Sequence, residues 1–404
     1  MSRSTRITLV TSTAAILLLL AGCAPVTTDG GSGSGSSDSG SPIKVGYLGA
    51  LSGGSAANGQ SDLNGVQLAV DQLNEAGGIA GRQLEVVTAD DKSDPATSAT
   101  AAQKLVQQDG VVAVLGGPNS GTVKANSVIV TGANVPRIIT IAQEDTLIDP
   151  AAAGFPLTFR VTENNTYDVD AIASVFEQKG YQAICVLADT TAYGEGGLTT
   201  INTVFAKHDL PIHAVARHEV NATDMTAPAL TLRDAGCDSI YLYSLGPDGA
   251  LFLKTLQQIG WDVPVIGGRG LAAKSFLSLA GDAANGVIIP AVVDPSKAEG
   301  GAFIDAYDAA YGADDDPAHV YSAMGYDSMN MLAAALEETD GEGGDALAKA
   351  LGSVELTDAA SGREGSTLSF STDRHEAPSK DFLVLYEIKD GAFSFLSSDV
   401  ESGQ

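Results

Sequence analysis

Short apolar runs alternate with amphipathic segments over most of this 404-residue chain, from Ile43 to about residue 295. A strand buried on both faces is a continuous apolar run, whereas a helix repeats its apolar residues at intervals of three and four. The alternation therefore predicts parallel sheets in an α/β fold. One set of units ends in a strand-like run at residues 157–160, and a second set begins with a helix predicted at 166–179. We expect two doubly wound lobes.

The pattern changes after residue 295. Helices are predicted over residues 299–351, the longest near 321–338, and a β-hairpin follows around Lys389, Asp390 and Gly391. Because both sets of strands and helices are complete by then, we expect the helical part to return to the first lobe. Ligands of α/β sheets bind beyond the carboxyl ends of the strands, so two lobes that face each other through those ends would form a cleft.

Residues 110–124 are the unit that most strongly suggests a binding site. An apolar run at 111–115 is followed by a Gly-Gly-Pro break, by Asn119 and Ser120, and then by apolar residues at helical spacing. A helix start offers free backbone N–H groups and the positive end of the helix dipole. The unit therefore predicts an anion site without a cationic side chain. The alternative is an ordinary capped turn that binds nothing.

The first 22 residues have the features of a signal peptide, since Arg3 and Arg6 precede an apolar core at 7–20. The LAGC run that ends at Cys23 is typical of a bacterial lipobox, in which this cysteine is lipidated and becomes the mature N-terminus. The alternative is a secretory signal with an incidental cysteine. Residues 24–42 are rich in Gly and Ser, which predicts a flexible tether with a reach of roughly 25 Å.

Charge and motifs argue against several classes of function. The formal net charge is -28, and so acidic a chain is repelled by phosphates, which argues against a nucleic-acid partner. The sequence contains no Walker A motif, no GxGxxG after a strand and no GxSxG elbow around Ser120, and its five His do not stand at metal-ligand spacing. We expect a protein that is not an enzyme and uses no cofactor or metal. An α/β enzyme would need a nucleophile–base pair that the sequence does not offer.

Two further cysteines, Cys185 and Cys237, lie in and just before strand-like runs. Outside the cytoplasm such a pair can form a disulfide if the two strands are adjacent. Two buried free thiols are the alternative, and the sequence leaves both open.

A set of motifs in fixed order carries a family resemblance over nearly all of residues 43–400. The motifs are IKVGYLGALSG, LNGVQLAVDQLNEAGGIAGRQLEVVTADDKSDPATSATAAQKLV, VLGGPNSG, DTTAYGEGG, LAGDAANGV and GYDSMNMLAAAL. The chain resembles the branched-chain amino-acid-binding (Leu/Ile/Val) type of solute-binding protein of ABC transporters, in a lipoprotein form. The resemblance implies the type I periplasmic-binding-protein fold, in which two Rossmann-like lobes joined by three hinge crossings close on a ligand.

The resemblance also implies domain boundaries. The signal peptide is expected at 1–22 and the lipidated cysteine with its tether at 23–42. The first lobe is then expected at 43–163 and 296–378, and the second at 164–295 and 379–404.

Roles of site residues follow from the same resemblance. Ser120 matches the serine that holds the ligand's α-carboxylate, and Tyr193 matches a cleft tyrosine. Ala142 and Gln143 fall where the family supplies a backbone carbonyl and a threonine side chain. Tyr321 matches an aromatic that packs on the ligand, although a core aromatic at a helix start is the alternative. The full predicted set of ligand-binding residues is Ser120, Ala142, Gln143, Asn165, Tyr193, Leu245, Arg269 and Tyr321.

Three positions depart from the family pattern. Asn58 stands in place of an aromatic after the first strand, and Leu245 in place of a second cleft tyrosine. Arg269 stands where the family has an acidic residue that receives the ligand's ammonium group. A cation there would repel an ammonium and pair with a carboxylate. We expect a small anionic or polar ligand, unless Arg269 turns away to solvent.

The resemblance implies an extracytoplasmic substrate-binding protein of an ABC importer. It would be anchored to the outer face of the cell membrane through Cys23, capture a small amino-acid-like or carboxylate solute, and deliver it to permease subunits in the membrane. The alternative is a ligand-sensing receptor of the same fold that signals to a membrane kinase or regulator.

Overall fold

The structure, a computed structural model, describes residues 40–152 and 154–397. The expected signal peptide, Cys23 and nearly all of the tether lie outside these residues. Within the described part of the chain, no helix combines the length and the apolar character that crossing a bilayer requires.

The first sheet is built from alternating strands and helices. These are β1 (Ile43–Gly49), α1 (Ala56–Glu75), β2 (Leu84–Asp90), α2 (Pro95–Lys104), β3 (Ala113–Gly116), α3 (Ser120–Gly132), β4 (Arg137–Ile139) and β5 (Thr158–Arg160). The strand order is β2-β1-β3-β4-β5, and every pair is parallel. Val45 of β1 pairs with Val86 on one side and with Ala113 on the other. The apolar runs thus form strands with helices on both faces, as the alternation predicted.

The second sheet repeats the plan. Its first elements are α4 (Asn165–Lys179), β6 (Ile184–Asp189), α5 (Ala192–Lys207), β7 (Ile212–His218), α6 (Thr226–Ala235), β8 (Ser239–Tyr243), α7 (Gly246–Gln258), β9 (Val265–Gly267), α8 (Lys274–Ala280) and β10 (Ile288–Ala291). One face packs Ile172 and Phe176 of α4 and Phe205 of α5 against Val186 of β6. This face of the sheet is therefore covered by helices, whereas the edge strand β7 keeps several exposed residues.

The chain then returns to the first sheet, as expected. The returning elements are α9 (Ala298–Tyr311), α10 (Val320–Glu338), α11 (Gly344–Leu351), β11 (Glu355–Leu356) and β12 (Leu368–Ser369). Helix α10 lies along α1 so closely that a Cβ atom added at Gly65 would collide with the backbone of Ser322. A glycine at this position lets the two helices pack backbone to backbone.

The predicted hairpin completes the second sheet. It consists of β13 (Val384–Lys389) and β14 (Ala392–Ser397), which are antiparallel. Asp390 and Gly391 have φ values of 51° and 75°, the positive values that a tight two-residue hairpin turn requires. The strand order of the sheet is β14-β13-β10-β9-β8-β6-β7.

Some boundaries differ from the predicted ones. β3 begins at Ala113 rather than at residue 111, and the helix predicted from 272 begins at Lys274 because Arg269–Leu271 forms a separate 3-10 turn. Other short helical turns are Leu105–Asp109, Asp145–Ile148, Phe155–Leu157 and Gly281–Ala284.

The chain passes between the two sheets three times: after β5, after β10 and before β13. The first and last passages contact each other, because Arg160 of the first forms an isolated parallel β-bridge with Glu376 of the last. The side chains of the two residues also form an ion pair, with Arg160 Nη2 2.7 Å from Glu376 Oε1. We call the first sheet with its helices the first lobe and the second sheet with its helices the second lobe. The residue boundaries given above stay a prediction.

Cys185 and Cys237, whose pairing the sequence left open, are joined by a disulfide. Cys185 lies in β6 and Cys237 just before the neighbouring strand β8, with their Cα atoms 5.8 Å apart. The bond links two adjacent strands at the centre of the second lobe.

Candidate ligand cavity

A cavity of about 540 Å³ lies between the two lobes. Its walls are the segments that follow β1 to β4 in the first lobe and β6 to β9 in the second, with the start of α10. The carboxyl ends of both parallel sheets therefore face one space. Seven of the eight predicted ligand-binding residues line it, namely Ser120, Ala142, Gln143, Tyr193, Leu245, Arg269 and Tyr321.

The first turn of α3 forms one end of the cavity, here called the Ser120 end. Ser120 is only 2% exposed, and its Oγ has no hydrogen-bond partner among the described residues. Gly121 and Thr122 also line the cavity, so amide groups that a helix start leaves without intrahelical partners border the same space. A buried hydroxyl without a partner beside a helix N-terminus suits an anionic group, and most simply a carboxylate.

Ala142 and Gln143 follow β4 and form part of the wall. The backbone N–H of Ala142 donates to Gly117 O at 3.0 Å. The Gln143 side chain donates from Nε2 to Glu163 Oε1 at 2.7 Å. Gln143 therefore links the wall to a buried carboxylate behind it.

Tyr193 lies in the first turn of α5 and contributes an aromatic wall. Its ring stacks on Tyr243, with centroids 4.5 Å apart and an interplanar angle of 20°. Burial, followed by the nearby charge of Asp168, raises the pKa of Tyr193 well above its usual value. Within residues 40–152 and 154–397 its OH has no hydrogen-bond partner, and it is held as a neutral group that can donate to a ligand.

Arg269 is buried and turned toward the cavity, so the alternative of a solvent-facing side chain is wrong. Its Nε lies 2.5 Å from Glu163 Oε1, and its Nη2 donates to Ile141 O across the cavity at 2.6 Å. Its Nη1 has no hydrogen-bond partner in the part of the chain that the structure describes. Burial alone would lower the pKa of this guanidinium, but the charge of Glu163 and its neighbours raises it above the usual value.

The expectation that Arg269 offers an unpaired cation needs correction, because the residue already has a protein carboxylate. Glu163 is fully buried and forms an ion pair with Arg269. It also accepts hydrogen bonds from Gln143 Nε2 and from the Thr162 hydroxyl. Asp168 is a second fully buried acid beside them, and its pKa is raised to about 7, mainly by burial and then by the charge of Glu163.

Tyr321 lines the cavity from the first turn of α10. Its backbone N–H donates to Asp316 Oδ2 at 2.8 Å, as does that of Ser322, so Asp316 orients the start of this helix. The Arg269 guanidinium carbon lies 5.8 Å from the Tyr321 ring centroid, within the range of a cation–π contact. The side chain therefore belongs to the cavity and not only to the core.

Asn165 does not line the cavity, contrary to the prediction. It is fully buried, its backbone N–H donates to Gln143 O at 2.9 Å, and its Oδ1 accepts from Tyr243 OH at 2.8 Å. Because Gln143 borders the cavity and Tyr243 lies directly behind Tyr193, Asn165 supports the wall from one layer behind. Proximity to the hinge in sequence did not reveal which way the side chain faces.

Several lining residues were not predicted. Ser55, Lys92, Ser93, Asn119 and Asn221 all border the cavity, together with Asn58. Asn119 Nδ2 donates to Ser55 Oγ at 2.8 Å, and the Ser55 N–H donates to Ser93 Oγ. Each follows the carboxyl end of a strand, which is a signal in the sequence that could have identified them; Asn119 also belongs to the binding unit predicted at 110–124, and Asn58 to the positions that depart from the family pattern.

Among the described residues that line the cavity, the one acidic side chain is Asp248. Its two oxygens accept from the backbone N–H groups of Asn221 and Ala222, each at 3.0 Å. Asp248 is thereby occupied in holding a neighbouring loop. The described part of the chain also contains no group of three or more potential metal ligands.

Comparison with known proteins gives a consistent result. The model of the family described as periplasmic binding protein matches residues 42–392. A leucine-, isoleucine-, valine-, threonine- and alanine-binding protein from Pseudomonas aeruginosa is 28% identical over 314 residues, which cover 76% of this chain and 82% of that protein.

Solved structures match as well. A branched-chain amino acid transporter substrate-binding protein from Streptococcus pneumoniae, in complex with isoleucine, has a TM-score of 0.77 at 26% identity, covering 87% of this chain and 98% of that one. A solute-binding protein from R. palustris in complex with benzoate has a TM-score of 0.78 at 22% identity, covering 88% and 96%. The second similarity concerns the fold alone.

Proposed function

This chain belongs to the periplasmic binding protein family, and we propose that it acts as the lipid-anchored, extracytoplasmic substrate-binding protein of an ABC importer. Its ligand is a small organic acid without an ammonium group, which it holds between the two lobes and passes to a membrane permease. A relative of known structure that is named as a transporter substrate-binding protein supports import over signalling to a membrane kinase.

The observation that carries the ligand class is the buried, unpartnered Ser120 Oγ at the start of α3, in a cavity whose one lining acid is already satisfied. The Ser120 end suits a carboxylate, whereas an ammonium group would find no free carboxylate among the described lining residues. A branched-chain amino acid, which the named relatives bind, therefore fits less well than an acid of the same shape.

Matched ligand pairs test this proposal by thermal shift and calorimetry. Leucine and 4-methylpentanoate differ only in the ammonium group, as do valine and 3-methylbutanoate, and the screen adds further carboxylates, amides and sugars. A ligand at 100 times its dissociation constant stabilises the folded state by about 2.7 kcal/mol, which raises Tm measurably. We expect the acids to stabilise more than the amino acids.

The Ser120→Ala variant connects binding to the proposed carboxylate site. Loss of a hydrogen bond to a charged group costs about 1.5–3 kcal/mol, or about 10- to 150-fold in affinity. Ser127→Ala is the control, because it removes a hydroxyl from the same helix outside the cavity. Unchanged affinity in Ser120→Ala, or tighter binding of leucine than of 4-methylpentanoate, would refute the proposal.

The lipid anchor is a separate part of the proposal and rests on the LAGC run and the tether. We expect Cys23→Ala to move the protein from the membrane fraction to the soluble fraction of cells. Retention in the membrane fraction with the signal peptide removed would exclude lipidation of Cys23 as the anchor.

A further inference from the structure

The cavity wall that the second lobe contributes has a donor that no residue in the described part of the chain satisfies. Arg269 is 2% exposed, and Glu163 and the Ile141 carbonyl each contact one of its nitrogens while Nη1 has no partner. The Tyr193 OH also lacks a partner and lies beside Gly270, the next residue along the chain. We call Arg269, Gly270 and Tyr193 the Arg269 end of the cavity. An acceptor atom of the ligand placed there would complete both donors.

The charge at this end is already balanced. Glu163 is fully buried and lies against Arg269 Nε, so the two form a neutral pair that solvent does not screen. The Gln143 and Thr162 side chains also donate to this carboxylate. Asp168, fully buried next to them, is an acid and can only make the surroundings more negative. The Arg269 end thus offers hydrogen-bond donors without a net positive charge.

Resting on the proposed function, we propose that Glu163, acting through Arg269, makes this end of the cavity select an uncharged hydrogen-bond acceptor. The ligand is then a monocarboxylate whose other end carries a carbonyl, amide or hydroxyl oxygen. A second carboxylate would bring an uncompensated negative charge into a buried site. An ammonium would face the guanidinium directly, and an apolar end would leave Nη1 unpaired.

One five-carbon series tests the selection, because its members share a carboxylate and differ only at the far end. The probes are glutaramate, glutarate, 5-aminopentanoate and pentanoate, which end in an amide, a carboxylate, an ammonium and a methyl group. We expect the wild-type protein to bind glutaramate about tenfold or more tightly than the other three, as measured by calorimetry at constant pH and salt.

Substitution of Glu163 tests the role of the ion pair itself. In Glu163→Gln the Arg269 end gains a net positive charge, so the ratio of glutarate to glutaramate affinity should rise about tenfold or more. A general loss of stability would weaken both ligands and would not change this ratio. Glu376→Gln is the matched control, because it breaks another buried Arg–Glu pair, Arg160–Glu376, and neither residue of this pair lines the cavity.

If Glu163→Gln does not fold, the double variant Glu163→Gln/Arg269→Gln removes both charges together and should lose the preference for glutaramate over pentanoate. Wild-type protein that binds glutarate, 5-aminopentanoate or pentanoate as tightly as glutaramate would overturn the inference. The proposed function would survive that result if binding still depended on Ser120. Absence of binding by this series and by every acid in the wider screen would instead refute the proposed function.

Discussion

Asp62, Asp168 and Asp327 are fully buried carboxyl groups whose pKa values the fold raises. Burial is the main reason that the pKa rises to about 7 in Asp62 and Asp168 and to about 6 in Asp327. In Asp62, one oxygen accepts from Tyr47 OH at 2.8 Å and from Thr140 Oγ1 at 2.7 Å, while the other has no partner. Such a group is more easily buried as a neutral acid than as an anion.

These pKa values predict a protein that becomes more stable on mild acidification. Because the folded state binds the three protons more tightly than the unfolded chain, the free energy of unfolding rises as the pH falls from about 7 toward the ordinary Asp pKa near 4. We expect ligand-free protein to be more stable at pH 5 than at pH 8 by on the order of 2–5 kcal/mol in urea denaturation.

Carboxyl groups with lowered pKa values limit this stabilisation at still lower pH. Hydrogen bonds from Thr97 and Thr226 lower the pKa values of Asp94 and Asp224, so these groups oppose further stabilisation below pH of about 4. Asp62→Asn and Asp168→Asn should each reduce the difference between pH 5 and pH 8. Equal stability at the two pH values, or greater stability at pH 8, would show that the fold does not raise the pKa values of these carboxyl groups.

At the scale of elements, the N-terminal half of α5 is a region in which the second lobe contacts the first. A Cβ atom added at Gly196 would lie 2.6 Å from Glu144 Cγ in the first lobe. Glu144 is held there by Lys124 at 2.9 Å and by the Thr146 hydroxyl. In the same region Thr200 of α5 donates to Asp145 Oδ2 at 2.8 Å. The side chain missing at Gly196 therefore permits close contact between the lobes.

The elements themselves were predictable because each depends on local pattern. The strands are apolar on both faces, and the return of α10 to α1 followed from the completion of two sets of strands and helices. Lining by Ser120 was predictable for the same reason, since Ser120 follows the carboxyl end of a strand at a helix start, whereas lining by Tyr193 was implied by the family resemblance. The direction in which a side chain points was not predictable from local pattern. Asn165, for example, lies behind the cavity wall although it is close to the hinge in sequence.

The charge state of the cavity depends on contacts that no local pattern contains. Arg269 and Glu163 are 106 positions apart in the sequence and meet only because the second lobe packs against the first hinge crossing. The residue type alone predicts a positive charge at Arg269, but in the folded protein the carboxylate of Glu163 balances this charge. This difference changes the expected ligand from a small anionic or polar solute to a monocarboxylate with an uncharged far end.

At the scale of the whole molecule, contacts across the cavity connect ligand binding to lobe separation. Arg269 of the second lobe donates to the Ile141 carbonyl of the first, and Tyr321 OH of the first donates to the Arg269 carbonyl at 3.4 Å. The Ser120 end belongs to the first lobe and Tyr193 to the second. A ligand that touches both ends contacts both lobes, so it favours the closed arrangement over one in which they have separated.

We therefore predict that ligand binding lowers the radius of gyration in solution X-ray scattering, and that Gly196→Ala opposes this change. An alanine at 196 would press against Glu144, so the variant should keep both folded lobes but contract less and bind more weakly than the wild type. Gly132→Ala is the control, because a Cβ atom there would meet nothing within 4 Å. If the wild type gives identical scattering with and without saturating ligand, the lobes do not close on it. If Gly196→Ala contracts as fully as Gly132→Ala, the contact with Glu144 does not limit closure.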